Sequence, residues 1–97
     1  MTEAEITKRI RQFLNVLNVW HWKQWQGPMS QPQGVSDILG IWNGKFLAIE
    51  VKTERGNLSD HQKRFIDMIN REGGIAFVAR SVDDVIIKLG VQDRFLT

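Results

Sequence analysis

The sequence predicts an α/β fold with a mixed central sheet flanked by helices, in the order α-β-β-β-α-β-α, as a single domain over residues 1–97. Three observations indicate this fold. Three segments with apolar residues at helical spacing each begin at a Ser or Thr that can cap a helix. Four short apolar segments have strand character, and an Asn-Gly turn joins two of them. A strand, a crossover helix and a further strand then form a parallel βαβ unit attached to a β-meander.

The first helix is predicted over Glu3–Asn18. Thr2 is its cap, and Glu5 is the reciprocal capping-box residue three positions later. Val19–Trp25 changes to the alternating period of a strand. Gln26–Gly34 contains two Pro and two Gly and is therefore predicted to be a loop.

The second and third strands are predicted over Ser36–Trp42 and Lys45–Thr53. Asn43-Gly44 joins them, because a two-residue type I′ turn needs positive φ at both central positions. Counting outward from this turn places Asp37 directly opposite Glu50. Side chains of opposed residues project to the same face, with Cβ atoms about 4.5–5.5 Å apart.

Two helices and a strand complete the domain. Ser59 caps the second helix, with Gln62 as its capping-box partner, and Ser81 caps the third. Ile75–Ala79 between them is an apolar strand, a candidate for burial on both faces. Val91–Thr97 has no predicted element. The inward residues of the two helices are Phe65, Ile66, Ile69, Val82, Val85, Ile86 and Leu89.

The composition excludes several classes of protein. The chain has no Cys, so disulfides, thiolate zinc sites and a cysteine nucleophile are excluded. No apolar run reaches the roughly 20 residues of a membrane span, and no signal peptide is expected. The net charge of +2 is spread over single cations and pairs, so a nucleic-acid role must depend on a site.

Asp37 and Glu50 interrupt otherwise apolar strands, and opposed carboxylates destabilise a sheet unless something compensates them. Lys52 lies two residues beyond Glu50 and points the same way. Protonation of one acid is one compensation, and a divalent cation with a third ligand from the Val51 carbonyl is another. With the Lys52 ammonium beside it, such a site suits metal-assisted phosphodiester hydrolysis. The alternative is a polar face on which Lys52 simply forms salt bridges to both acids.

The segments Gly34-Val35-Ser36-Asp37 and Ile49-Glu50-Val51-Lys52 resemble the PD-(D/E)XK nuclease signature. The order of elements narrows the resemblance to a stand-alone VRR-NUC domain, of the virus-type replication-repair nuclease family. Ser36 stands where that family usually has Pro. The resemblance covers nearly the whole chain; its other points are the acid of the first helix, Lys23, Gly27-Pro28-Met29, Gln62 and Gly73-Gly74-Ile75-Ala76.

The resemblance implies a restriction-endonuclease-like fold, dependence on Mg²⁺ or Mn²⁺, and cleavage of branched DNA. Stand-alone members of phage type resolve four-way (Holliday) junctions as homodimers. It further implies a phage or bacterial protein of DNA repair, acting in the cytoplasm of a bacterial cell or a phage-infected host. No small-molecule cofactor and no membrane association are expected.

Glu3 and Glu5 compete for a further acidic role. Glu3 shares the inward face of the first helix with Ile6 and Ile10, whereas Glu5 is accounted for by the cap. The family also places an acid in this helix, so we expect Glu3 to be an extra metal ligand or a water-positioning group. Gln62 can cap its helix, and the resemblance also marks it as an active-site residue.

Lys23, Arg55 and Lys63 are the candidate DNA contacts. For Lys23 the alternative is a solvated lysine among tryptophans. Aromatic residues dominate cores and interfaces, so most of the four tryptophans are expected in the core or at a dimer interface.

The sequence therefore predicts a metal-dependent, structure-selective DNA endonuclease, most specifically a Holliday-junction resolvase. Asp37, Glu50, Lys52, Glu3 and Gln62 are its catalytic set. Asp37, Glu50, Glu3 and the backbone carbonyl of Val51 hold the Mg²⁺ or Mn²⁺. The alternatives are a flap or single-strand nuclease with the same site, a non-catalytic nucleic-acid-binding module, and a structural protein.

Overall fold

The computed structural model describes residues 1–29 and 32–95. It confirms the predicted order of elements and adds one short helix, α4, in the tail for which the sequence predicts none. No helix within the described residues is long and apolar enough to cross a membrane. The helices are α1 Glu3–Val16, α2 Asp60–Arg71, α3 Val82–Lys88 and α4 Gln92–Phe95, and the strands are β1 Trp20–Lys23, β2 Ile38–Trp42, β3 Lys45–Val51 and β4 Ile75–Ala79.

Several elements are shorter than predicted, for local reasons. α1 stops at Val16, and Asn18 then adopts a left-handed conformation with φ of 60°. β2 begins at Ile38 because the Asp37 side chain, rather than further backbone pairing, accepts the N–H of Val51. All three predicted Ser and Thr caps are present.

The four strands form one mixed sheet in the order β1-β2-β3-β4. β1 and β3 are antiparallel to β2, whereas β4 is parallel to β3, as a βαβ unit requires. The hairpin register runs from Trp42 opposite Lys45 to Ile38 opposite Ile49, as predicted. Asn43 and Gly44, with φ of 50° and 79°, form the positive-φ turn that sets it.

The two faces of β3 pack against different helices. Leu47, Ile49 and Val51 share a core with residues of α1 and α3, including Ile10 and Val85. Ala48, on the other face, packs in a second cluster with residues of α2, the half-buried Phe65, Ile66 and Ile69. Glu50 alternates with Ile49 and Val51 and therefore belongs to the α2 face.

Two tryptophans lie outside the core of the single chain. Trp20 is 70% exposed and Trp25 is 62% exposed. Trp20 makes an edge-to-face contact with Trp22, with ring centroids 5.2 Å apart. β1 is an edge strand at the periphery of the sheet, which leaves its side chains little to pack against. Of the two placements expected for the tryptophans, the core is excluded for Trp20 and Trp25.

Candidate active site

Asp37 and Glu50 lie at the end of the β2–β3 hairpin remote from the Asn43-Gly44 turn. Asp37 immediately precedes β2, and its Oδ2 accepts a hydrogen bond of 2.7 Å from the N–H of Val51. The backbone carbonyl of Asp37 accepts a second one, also 2.7 Å, from the N–H of Gln24. Contacts from both neighbouring strands therefore hold this carboxylate beside the end of β3.

Glu50 is a buried carboxyl group, with only 2% of its surface exposed. Its Oε2 accepts a hydrogen bond of 3.3 Å from Nε2 of Gln62. Its Oε1 is also buried, and no described residue donates a hydrogen bond to it. A buried acceptor without a donor is uncommon in folded proteins and is a reason to look for a ligand.

Burial is the largest of the causes that raise the pKa of Glu50 to about 9. Asp37 contributes to the same rise, both by accepting a hydrogen bond from the protonated form and through its negative charge. The Lys52 charge lowers this pKa, but it is outweighed. Lys52 therefore offsets only part of the rise, and Glu50 is buried rather than part of a solvated polar face. Without a bound cation, Glu50 holds a proton at neutral pH.

Gln62 caps α2, as predicted, and its side chain also contacts Glu50. Its backbone N–H donates to Oγ of Ser59, and its Oε1 accepts from the N–H of Ser59, which completes the capping box of α2. Its Nε2 remains available and donates to Glu50. One side chain thus ties the start of α2 to the buried carboxyl group.

Lys52 directly follows β3, and its backbone N–H donates to the carbonyl of Ala79 at the end of β4. The turn after it is held by Arg80, which sequence reasoning did not single out. Nη1 of Arg80 donates to the carbonyl oxygens of Thr53 at 2.6 Å and Gly56 at 2.7 Å. Arg80 follows a strand that is distant in sequence, so only the β3–β4 pairing reveals this contact.

Glu3 is exposed at the start of α1, which packs on the sheet face opposite to Glu50. Its charge contributes to raising the pKa of Glu50, although less than burial and Asp37 do. Within residues 1–29 and 32–95, no three His, Cys, Asp or Glu side chains converge into a metal-binding group. The acidic ligands brought together here are therefore Asp37 and Glu50.

Glu5 is the capping-box residue, as predicted. Its Oε1 accepts hydrogen bonds of 3.0 Å from both the N–H and the hydroxyl of Thr2. These bonds lower the pKa of the Glu5 carboxyl. A carboxylate engaged in this way is explained by the start of the helix.

The three candidate DNA contacts are exposed but do not form one cluster. Arg55 lies in the turn that follows Lys52, and Lys63 follows Gln62 at the start of α2. Lys23 ends β1, where it pairs with Ile38 next to Asp37. All three therefore lie near the Asp37–Glu50 end of the sheet, on three separate elements.

Only the tertiary structure shows why position 34 is a glycine. Its φ is 78°, and a Cβ there would lie 2.3 Å from the carbonyl carbon of His61. The segment that leads to Asp37 thus packs directly on the backbone at the start of α2, one residue before Gln62. A side chain at position 34 would separate two parts of the site.

We expect Gly34→Ala to lower the free energy of unfolding by about 2 kcal/mol or more, because it combines an unfavourable φ with steric overlap. Gly44→Ala is a matched control, since Gly44 has φ of 79° and nothing within 4 Å of its would-be Cβ. Urea unfolding of both variants measures the difference. Equal losses would contradict a specific role for the contact with His61.

The residues present fit a hard divalent cation. Two carboxylates and the neighbouring backbone carbonyl of Val51 form the oxygen donor set that Mg²⁺ and Mn²⁺ prefer. The unpartnered Oε1 of Glu50 is a buried acceptor that such a cation would satisfy. This fit rests on Asp37 and Glu50, with Glu3 outside the cluster.

Comparisons with known proteins find one family model and solved structures that match this chain. The VRR-NUC domain model matches residues 1–83. One solved structure, described as a VRR_NUC domain, aligns over 100% of both chains with 21% identity and a TM-score of 0.71. Another, a VRR_NUC domain protein, covers 93% of this chain and 86% of its own, with 20% identity and a TM-score of 0.72.

A search of curated proteins finds no match. At identities near 20% the two structures establish the fold, and they confirm the predicted restriction-endonuclease-like architecture. The family model covers most of the chain and includes Asp37, Glu50 and Lys52. The chain therefore belongs to the VRR-NUC domain family, the virus-type replication-repair nucleases.

Proposed function

We propose that this nuclease is a metal-dependent endonuclease that cuts branched DNA, with the four-way junction as its substrate and a homodimer as its active form. The proposal rests on one observation. Glu50 is buried beside Asp37 and Lys52, and its Oε1 has no hydrogen-bond donor among the described residues. The resemblance adds a cytoplasmic site of action, in a bacterial cell or a phage-infected host.

Asp37, Glu50 and the backbone carbonyl of Val51 hold a Mg²⁺ or Mn²⁺ ion in this proposal. When bound, the ion supplies Lewis-acid stabilisation of negative charge and lowers the pKa of water. Glu50 must release its proton to become a ligand, since only the carboxylate form binds a cation well. Glu3 is the water-positioning group, acting from outside the ligand shell.

Lys52 and Gln62 are the remaining catalytic residues. A water molecule loses a proton to solvent as its oxygen forms a bond to phosphorus. The bond from phosphorus to the leaving sugar oxygen breaks, and that oxygen takes up a proton from solvent. Lys52 places a positive charge beside the attacking hydroxide and the pentacovalent phosphorus, where negative charge develops. Gln62 orients the Glu50 carboxyl through its 3.3 Å hydrogen bond. Arg55 and Lys63 contact flanking phosphates from the elements next to Lys52 and Gln62.

The homodimer follows from the geometry of the substrate. A four-way junction is resolved by two cuts related by a two-fold axis, which needs two active sites. A domain of 97 residues also has a thin core of its own, so association would add buried surface. The exposed Trp20 and its strand neighbour Ile41, which is 39% exposed, offer apolar surface for it.

The proposal is tested with a labelled four-way DNA junction, incubated with Mg²⁺, with Mn²⁺ or with EDTA. We expect paired symmetric cuts that require the metal, and a molar mass in solution of twice the 11.2 kDa chain. Flap and single-stranded DNA are run in parallel. Metal-dependent cuts on those substrates alone would overturn the junction as substrate, and no cutting of any DNA would overturn the catalytic role.

A further inference from the structure

α1 and the end of β1 form a basic groove on the sheet face opposite to α2. We call it the α1–β1 groove; its lining residues are Ala4, Thr7, Lys8, Arg11, Gln12, Asn15 and Lys23. Three of these residues are cations and none is an acid. The lining of the groove therefore presents three positive charges and no negative one.

The groove begins at the end of the sheet that carries the active site. Lys23 pairs with Ile38, and the next residue, Gln24, donates its N–H to the carbonyl of Asp37. At the start of α1, Glu3 is near enough for its charge to affect Glu50. A strand of DNA with a phosphate at Asp37 and Glu50 would reach the groove, which lies on the other face, by crossing this end of the sheet beside Lys23.

The dimensions of the groove suit a polynucleotide strand. From Ala4 to Asn15, α1 advances by about 16 Å, at 1.5 Å per residue. Nucleotides of one DNA strand are spaced about 3.4 Å apart along a duplex axis, so this length follows four or five of them. Lys8 and Lys23 provide charge for phosphates, while the amides of Gln12 and Asn15 are neutral donors of the kind that contact phosphate and sugar.

Arg11 is a further cation of the groove, and it is half-buried. Its Nε is buried and has no hydrogen-bond partner in the part of the chain that the structure describes. A buried guanidinium nitrogen without a partner is destabilising, and an anion in the groove would offset its charge. An electropositive groove with such a residue is complementary to a polyanion.

We propose that the α1–β1 groove binds the phosphodiester backbone of the substrate DNA, on the strand that leads away from the scissile phosphate. This proposal rests on the proposed nuclease function and adds a second contact surface to it. Backbone contacts position DNA and carry no sequence information, so the groove supports binding to any sequence. It acts on affinity and leaves the chemistry at Asp37 and Glu50 unchanged.

The test compares two pairs of substitutions at exposed lysines. Lys8→Gln/Lys23→Gln removes two charges from the groove. Lys45→Gln/Lys88→Gln removes two charges elsewhere, at the hairpin turn and at the last turn of α3. Binding to a fluorescein-labelled four-way junction is measured in EDTA, over a series of salt concentrations, so that no cleavage occurs. Cleavage is then measured with Mn²⁺ at saturating enzyme.

We expect Lys8→Gln/Lys23→Gln to increase the Kd for the junction by about tenfold. The slope of log K against log salt should become shallower by about 1.8, because each duplex phosphate contact contributes about 0.9. The control pair should keep both the wild-type slope and the wild-type cleavage rate. Equal changes in Kd and slope for the two pairs, or no change for the groove pair, would contradict DNA binding by the groove. Either result would leave the nuclease proposal intact. Failure of the wild type to bind the junction would overturn both.

Discussion

Lys52→Ala is expected to reduce the rate of DNA cleavage by at least about 100-fold while leaving the protein folded. Removal of one preorganised group that stabilises transition-state charge typically has an effect of this size. The side chain is half-buried after the end of β3, and its backbone N–H continues to donate to Ala79 in the variant. The loss should therefore be in the chemical step.

The effect of Lys52 on the pKa of Glu50 must be separated from its effect on the chemical step. Its charge lowers the pKa of Glu50, so the variant holds the Glu50 proton more tightly and binds metal more weakly at neutral pH. Cleavage is therefore compared at saturating Mn²⁺, at pH 7 and at pH 9. Lys45→Ala, an exposed lysine at the hairpin turn, is the matched control.

The outcomes distinguish two roles for Lys52. A rate that stays 100-fold low at pH 9, together with a metal-dependent rise in Tm, indicates direct stabilisation of the reacting phosphate. A rate that recovers at pH 9 would show that Lys52 acts only through Glu50. Wild-type cleavage by the variant under all conditions would remove Lys52 from the mechanism.

Glu50→Gln is expected to have opposite effects on stability and on activity. In the folded protein the pKa of Glu50 is raised to about 9, from its ordinary value of 4.5. The folded state therefore binds more protons than the unfolded state between these values, and stability falls as pH rises through this window. A neutral amide of the same shape removes the effect, so the metal-free variant should be the more stable protein at pH 8.

The same substitution should abolish the response to metal. A cation bound by the Glu50 carboxylate stabilises the folded state in proportion to its binding, so Mn²⁺ should raise the Tm of the wild type. An amide is a weaker ligand without charge, so the Tm of Glu50→Gln should change little with Mn²⁺ and its cleavage of DNA should be lost.

Tm is measured between pH 4.5 and 9, in EDTA and in Mn²⁺, for the wild type, for Glu50→Gln and for Glu72→Gln. Glu72 is an exposed carboxylate at the C-terminal cap of α2, so its substitution removes the same charge outside the site. The difference in Tm between the wild type and Glu50→Gln, followed over pH, reports the contribution of the Glu50 carboxyl, because the other titrating groups are the same in both proteins. A wild type that gains stability relative to Glu50→Gln as pH rises would contradict a protonated Glu50.

The pairing of the two carboxylates could be predicted from the sequence because it depends on local chemistry. Asn43-Gly44 sets the turn, the turn sets the register, and the two-residue period of a strand places Asp37 and Glu50 on one face. The same period puts Leu47, Ile49 and Val51 on the opposite face, where they join the core with α1 and α3. These steps need only steric limits on φ and the alternation of side chains.

The surroundings of that pair depend on how helices pack on the sheet, which the hydrophobic period does not specify. The hydrophobic period places Glu3 on the inward face of α1, yet α1 packs on the sheet face opposite to Glu50. α2, in contrast, brings Gln62 to Glu50. Trp20 and Trp25 were assigned by their type, but an edge strand and a loop left them exposed.

The sequence by itself determined the order of elements, the hairpin register and the Asp37, Glu50 and Lys52 set, because these follow from interactions between residues close along the chain. Only the tertiary structure decided the burial of Glu50, its raised pKa, the contact of Gly34 with His61 and the hold of Arg80 on the turn after Lys52. Each of these depends on desolvation or on contacts between residues distant in sequence, which exist only once the helices have packed against the sheet.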